Sequence, residues 1–173
     1  MAGEIRALTV RQPWVWAIAE QGKTIENRTW QTAYRGLLAI HAGARFDDDA
    51  TMPVDRAERR LRALVAKIRL AHGSPPDTAN LRLSRIIAVA DLTGIHHASE
   101  CRLPDRSPIP TLGDLAGGRP GCSPWAIPGE YHWELGCVRP LPDPVPCKGR
   151  LGLWRLPEDV EKAVRAQLEP GHA

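Results

Sequence analysis

Residues 22–36 read GKTIENRTWQTAYRG, and the patterns on either side of this stretch decide the fold class. Gly22 closes a short predicted helix over 14–21, which opens just after Pro13. Proline suits a first helical turn, and glycine suits the position just past the last one. Ahead of that helix, 5–10 has the length and composition of a strand. Beyond Gly22, 23–30 reads as extended and 31–34 as a turn, and 36–42 (GLLAIHA) is an apolar run of strand length. Farther out, 53–71 is the longest predicted helix, with Val54, Ala57, Leu61, Leu64, Val65 and Ile68 on one face. A loop over 72–80 follows. Residues 85–96 (RIIAVADLTGIH) are apolar enough for a central strand. The stretch 98–130 is rich in proline and glycine and reads as a long loop. Residues 131–138 alternate as a strand does, 140–146 read as extended but broken by proline, and 151–156 form a last strand. Pro157 opens a final helix over 157–169, with Val160, Val164 and Leu168 one turn apart.

Short strands with helices set among them predict an α+β domain: a small curved sheet or pseudo β-barrel with flanking helices. No repeat, low-complexity tract or linker interrupts the chain, so residues 1–173 read as one domain.

Composition narrows the function classes. The chain has 173 residues, 43% hydrophobic and 25% charged, which excludes wholesale disorder. No apolar run approaches the ~20 residues of a membrane span, and residues 1–11 lack the plan of a signal peptide. A cytoplasmic protein with no membrane partner is the expectation. Net charge is +3, too weak to announce a polyanion partner. Its distribution is uneven, however: residues 1–90 carry +5 and residues 91–173 carry −2, so an anion-binding face is expected on the first half. Cys101, Cys122, Cys137 and Cys147 include no CxxC pair, and His96 and His97 as strand neighbours point to opposite faces. Free thiols, no metal and no cofactor are expected.

Chemistry concentrates near the start. Arg11, Lys23, Arg28 and Arg35 are interleaved with Trp14, Trp16, Trp30 and Tyr34. Cations hold phosphates and flat rings stack bases. Period two along 23–28 places Glu26 and Arg28 on one strand face, where they can pair, and Lys23 on the other. His41, inside an apolar run, reads as a hydrogen-bonded core histidine.

Three segments then carry a family resemblance. They are LTVRQPW at 8–14, GKTIENRTWQTAYRG at 22–36 and VPCKGRLGLW at 145–154, with the strand RIIAVAD at 85–91 between the last two. In this order they resemble the ASCH domain of the PUA-like superfamily, most of all that of the transcription coactivator activating signal cointegrator. The resemblance covers about residues 8–157. It implies a PUA-like pseudo-barrel and a cleft beside the QPW helix that takes RNA, single-stranded nucleic acid or a modified nucleoside. One branch of the family hydrolyses N4-acetylcytidine, and other members are described as ribonucleases.

On that resemblance, a binding module for nucleic acid or a modified nucleotide is the first expectation. Its ligand-binding residues would be Arg11, Gln12, Trp14, Lys23, Glu26, Arg28, Trp30, Tyr34, Arg35, Trp125 and Lys148. An amidohydrolase on an acylated nucleoside is the alternative, with Lys23 as electrostatic catalyst and Glu26 activating water. The hydrolase branch has a threonine nucleophile three residues after its lysine, where this chain has Glu26. Glu100 and Glu130 are candidates for a second carboxylate. A metal-dependent ribonuclease is the third reading and would need clustered carboxylates; the one acidic run, Asp47, Asp48 and Asp49, reads instead as a solvated loop ahead of the 53–71 helix.

Overall fold

A computed structural model describes residues 3–47, 82–101, 122–123 and 125–169. The helix expected over 53–71, the loop at 72–80, Asp48 and Asp49 lie outside these residues. The described elements are β1 (Arg6–Gln12), α1 (Trp14–Glu20), β2 (Ile25–Arg28), β3 (Gly36–Phe46) and β4 (Arg85–His97). A 3-10 turn (Ala98–Glu100), β5 (Tyr131–Pro146), β6 (Leu153–Arg155) and α2 (Glu158–Ala166) follow. The strands form one sheet in the order β2-β5-β4-β3-β1-β6. β1 and β3 run parallel, and every other neighbouring pair is antiparallel. The sheet is mixed and open, with the two shortest strands at its edges, and this matches the α+β class the sequence predicts.

Each sheet face carries its own core. Leu38, Ile40 and Ala42 of β3 face one side with Leu8 and Val10 of β1 and Trp133 of β5, and α1 covers them with Val15 and Ile18. Ala39 of β3 faces the other side with Ile5, Ala7, Ile86 and Val89, where α2 supplies Val160 and Val164. Strict alternation sends neighbours to opposite faces. It breaks at Ile87 and Ala88, which share the α1 face, and there the β4–β5 register slips between Ile86 and Ala88. One extra residue in a strand produces that result.

Two boundaries differ from the sequence reading. β3 continues to Phe46. β5 continues through the proline-rich stretch to Pro146 instead of stopping at Val138. Pro140, Pro142, Pro144 and Pro146 occupy every second position, so their missing N–H groups fall on one side of the strand. Past Glu134, β2 no longer pairs with β5, which leaves one side of β5 as an edge. Strand proline is tolerated at an edge because no ladder bond is lost there.

Candidate functional site

β1, β2 and α1 meet around a cleft of about 510 Å³. Residues 126–130 and 147–152 complete its walls through Ile127, Glu130, Arg150, Leu151 and Gly152. The floor is charged. Lys23 and Glu26 are 2% and 6% exposed, and both are drawn into the protein by their mutual contact. The Lys23 Nζ donates to Glu26 Oε2 at 2.8 Å and also to the Ile25 carbonyl. The Arg28 guanidinium lies 3.2 Å from Glu26 Oε1 and donates to the Thr9 carbonyl at 2.9 Å. One carboxylate thus joins two cations and ties β2 to β1. Lys23 precedes β2, so it is not bound to the strand's two-residue alternation. The sequence reading set it on the face opposite Glu26, and the two sit together instead.

Burial lowers the Lys23 pKa from its usual value, and the Glu26 carboxylate opposes that shift. Glu130 stands at the same cleft. Burial raises its pKa, and the neighbouring Glu26 charge adds to the effect. The cleft therefore holds a lysine eased toward neutrality and a carboxyl eased toward protonation. The remaining walls are Thr9, Val10, Arg11, Trp14, Asn27 and Asp47. The Trp14 Nε1 donates to Asp47 Oδ2 at 2.9 Å, which commits that carboxylate to the indole. The Lys23 ammonium stands 5.9 Å from the Trp14 ring centre.

Two further devices shape the walls. The Asn27 side chain donates to the Trp125 carbonyl at 2.8 Å and accepts from the Ile127 N–H at 2.9 Å. That pair fastens residues 125–127 onto β2. Trp125 itself packs with Trp14, Trp16 and Ile127 against Ala17 of α1. On the opposite wall, the Thr9 hydroxyl donates to the Arg150 carbonyl at 2.8 Å, and the His41 Nε2 stands 2.9 Å from the Cys147 carbonyl. A Cβ on Gly149 would come within 2.5 Å of the His41 ring and 2.9 Å of the Thr9 hydroxyl, so the late KG motif requires its glycine for this close approach. Leu151, 98% exposed, stands at the rim beside Arg150.

Of the residues singled out in the sequence, Arg11, Trp14, Lys23, Glu26 and Arg28 line this cleft. Gln12 is buried, and its Oε1 accepts from the Trp16 N–H at the start of α1. Trp30 packs edge-on against Trp133 at 4.7 Å. The Tyr34 hydroxyl bonds to the carbonyls of Glu4 and Leu37, and Arg35 donates to the carbonyls of its own turn at Thr32 and Tyr34. Lys148 is exposed, and its neighbours Arg150–Gly152 form the rim in its place. Asn27 and Arg150 are the polar and charged cleft residues that the sequence reading does not assign to the site, beside Thr9, Val10, Ile127, Leu151 and Gly152. Glu130 is the one of the two candidate carboxylates that stands here.

His41 carries a pH signature. Its Nε2 serves Cys147 while its buried Nδ1 has no hydrogen-bond partner among the described residues. Burial lowers its pKa. The unfolded chain therefore binds the proton more readily. Its stability contribution is full above about pH 6.5 and is lost as pH falls below that toward the lowered folded value. His41→Gln keeps a donor for Cys147 and removes the titration. Urea unfolding between pH 5 and 7 is expected to show a shallower loss of stability in the variant; parallel curves would contradict this role.

The fold agrees with comparison against known families. The ASCH domain matches residues 8–111, and the chain belongs to this family of the PUA-like superfamily. Comparison with curated proteins gives no match. The matched stretch ends before β5 and β6, yet β5 lies between β2 and β4 in the sheet. Residues beyond 111 therefore complete both the sheet and the cleft. Among the described residues, no helix is long and apolar enough to cross a membrane.

Proposed function

We propose that the cleft binds a single-stranded nucleic acid, or a modified nucleotide, as a binding module. The carrying observation is the cleft itself. A volume of about 510 Å³ suits a nucleotide-sized group, its floor offers a fixed charge pattern, and cations stand at its rim. Arg11 and Arg150 take phosphates, because Lys23 is buried and already paired with Glu26. Asn27 and Glu130 read polar base edges. Leu151 and Ile127 supply apolar contact with the base faces.

Titration of labelled single-stranded RNA at several salt concentrations tests this reading. Each lost phosphate contact reduces the slope of log K against log salt by about one unit. Arg11→Ala and Arg150→Ala are each expected to weaken binding and flatten the slope by that amount. Slopes equal to wild type would remove both residues as phosphate ligands.

A second reading, hydrolysis of an acylated nucleoside, draws on Glu130. Both oxygens of Glu26 are held by cations, whereas the Glu130 pKa is raised by burial and by the Glu26 charge, which is the direction that favours a carboxyl acting as general acid or base. Turnover of N4-acetylcytidine that Glu130→Gln abolishes would favour this reading over the binding module.

A further inference from the structure

Away from the cleft floor, four side chains from separate parts of the chain converge. They are His96 near the end of β4, Cys101 just after the 3-10 turn, Cys122, and His132 in β5. Each offers one ligand atom, and these atoms all lie within 4.8 Å of one another. We propose that they form a structural Cys2His2 zinc site.

The four nitrogen–sulfur distances are those a tetrahedral zinc site requires. The His96 Nε2 lies 3.1 Å from the Cys122 Sγ and 3.4 Å from the Cys101 Sγ. The His132 Nδ1 lies 3.3 Å from the Cys101 Sγ and 3.4 Å from the Cys122 Sγ. Zinc bonds of ~2.3 Å to sulfur and ~2.0–2.1 Å to nitrogen, at tetrahedral angles, put neighbouring nitrogen and sulfur ligands about 3.5 Å apart. All four nitrogen–sulfur edges of the cluster fall close to that length.

The outer contacts set the tautomers that a metal needs. The His96 Nδ1 faces Glu134 Oε1 at 2.7 Å, and the His132 Nε2 faces the Ile127 carbonyl at 2.8 Å. Each acceptor holds the ring proton on the outer nitrogen, so the lone pair of the inner nitrogen turns toward the two sulfurs. A carboxylate or carbonyl behind each histidine is the usual outer shell of a zinc ligand. Gly94 leaves room for that carboxylate: a Cβ there would come within 2.5 Å of Glu134 Oε2. Binding displaces a proton from each thiol to solvent, and the two thiolates then balance the charge of the dication.

Four protein ligands leave no open position, so the site is structural. It fastens Cys122 to the β4–β5 pair. Through His132 it also steadies Ile127, which lines the cleft. The sequence reading expected no metal here. His96 and Cys101 are separated by four residues, Cys122 and His132 by nine, and neither spacing belongs to a familiar zinc motif. Only strand register puts His96 opposite His132.

Metal analysis of protein purified in reducing buffer without chelator tests the proposal, followed by Co²⁺ titration of the stripped protein. About one zinc per chain is expected, together with the absorption of tetrahedral cobalt bearing thiolate charge transfer. Cys122→Ser is expected to abolish both signals, while Cys137→Ser, at an exposed cysteine outside the cluster, keeps both. Glu134→Gln retains all four ligands and so guards against simple misfolding; its zinc affinity should fall about 10–100-fold with an unchanged circular dichroism spectrum. Reduced, stripped protein that takes up neither metal would overturn the site, as would undiminished zinc binding in Cys122→Ser.

Discussion

Glu26→Ala is expected to lower the unfolding free energy by about 3–5 kcal/mol at pH 7, the usual cost of removing one partner from a buried ion pair. The reason lies in what remains. Lys23 stays 2% exposed and loses the carboxylate that opposes its desolvation. Arg28 is less affected, because it is partly exposed and keeps the Thr9 carbonyl. The deficit should also depend on pH with a definite sign. Without Glu26 the folded-state pKa of Lys23 falls further below its unfolded value, so the unfolded chain binds the proton more strongly. The variant's lost stability should return as pH rises toward the unfolded lysine value of about 10.4. Urea unfolding at pH 7 and pH 9.5, compared with wild type, reads this directly. A deficit that stays constant or widens at the higher pH would mean that Lys23 is not the stranded charge. Lys23→Met combined with Glu26→Leu should recover most of the loss, since replacing both members of a buried pair is often neutral.

Trp133→Ala should cost a similar amount, about 3–5 kcal/mol, as a large aromatic truncated in a packed core. Trp133 is fully buried, meets Trp30 edge-on at 4.7 Å and donates its Nε1 to the Trp30 carbonyl at 3.1 Å. It also sits opposite Glu26 on one side and Ile95 on the other, so it fixes the register of β2 and β4 against β5. Trp133→Phe retains a ring and should lose less than half as much. Denaturant midpoints with unchanged slopes would report these losses. Equal effects of Ala and Phe would show that the hydrogen bond, and not ring packing, carries the contribution.

The elements legible in the sequence are those whose signal is local. α1 lies between Pro13 and Gly22, β4 is a long apolar run, and α2 repeats its valines each turn. The sequence reads β5 as ending at Val138 because proline is a strand breaker, and only the sheet order shows that its far half is an edge. The cleft was legible in part for the same reason. Arg11, Trp14, Lys23, Glu26 and Arg28 lie close together in sequence, so motif reading could group them. Glu130 and Arg150 reach the cleft through tertiary contacts that no local pattern encodes. Likewise, the side Lys23 faces is set by the segment before β2, outside the strand and its two-residue period.

The position of β5 has a consequence for synthesis on the ribosome. Ile25 of β2 pairs with Glu134, about 100 residues later. At elongation rates of about 5–20 residues per second, β2 waits roughly five to twenty seconds for that neighbour. β4 is complete at His97 and waits from there to Tyr131, roughly two to seven seconds at the same rates, and meanwhile its free side, thirteen residues long, can recruit a strand from any nearby chain. Slower translation of the intervening stretch would lengthen the exposure, and crowding of nascent chains on one messenger would raise its cost. Yield of native protein should therefore respond to codon choice between residues 102 and 130 more than to the same changes elsewhere.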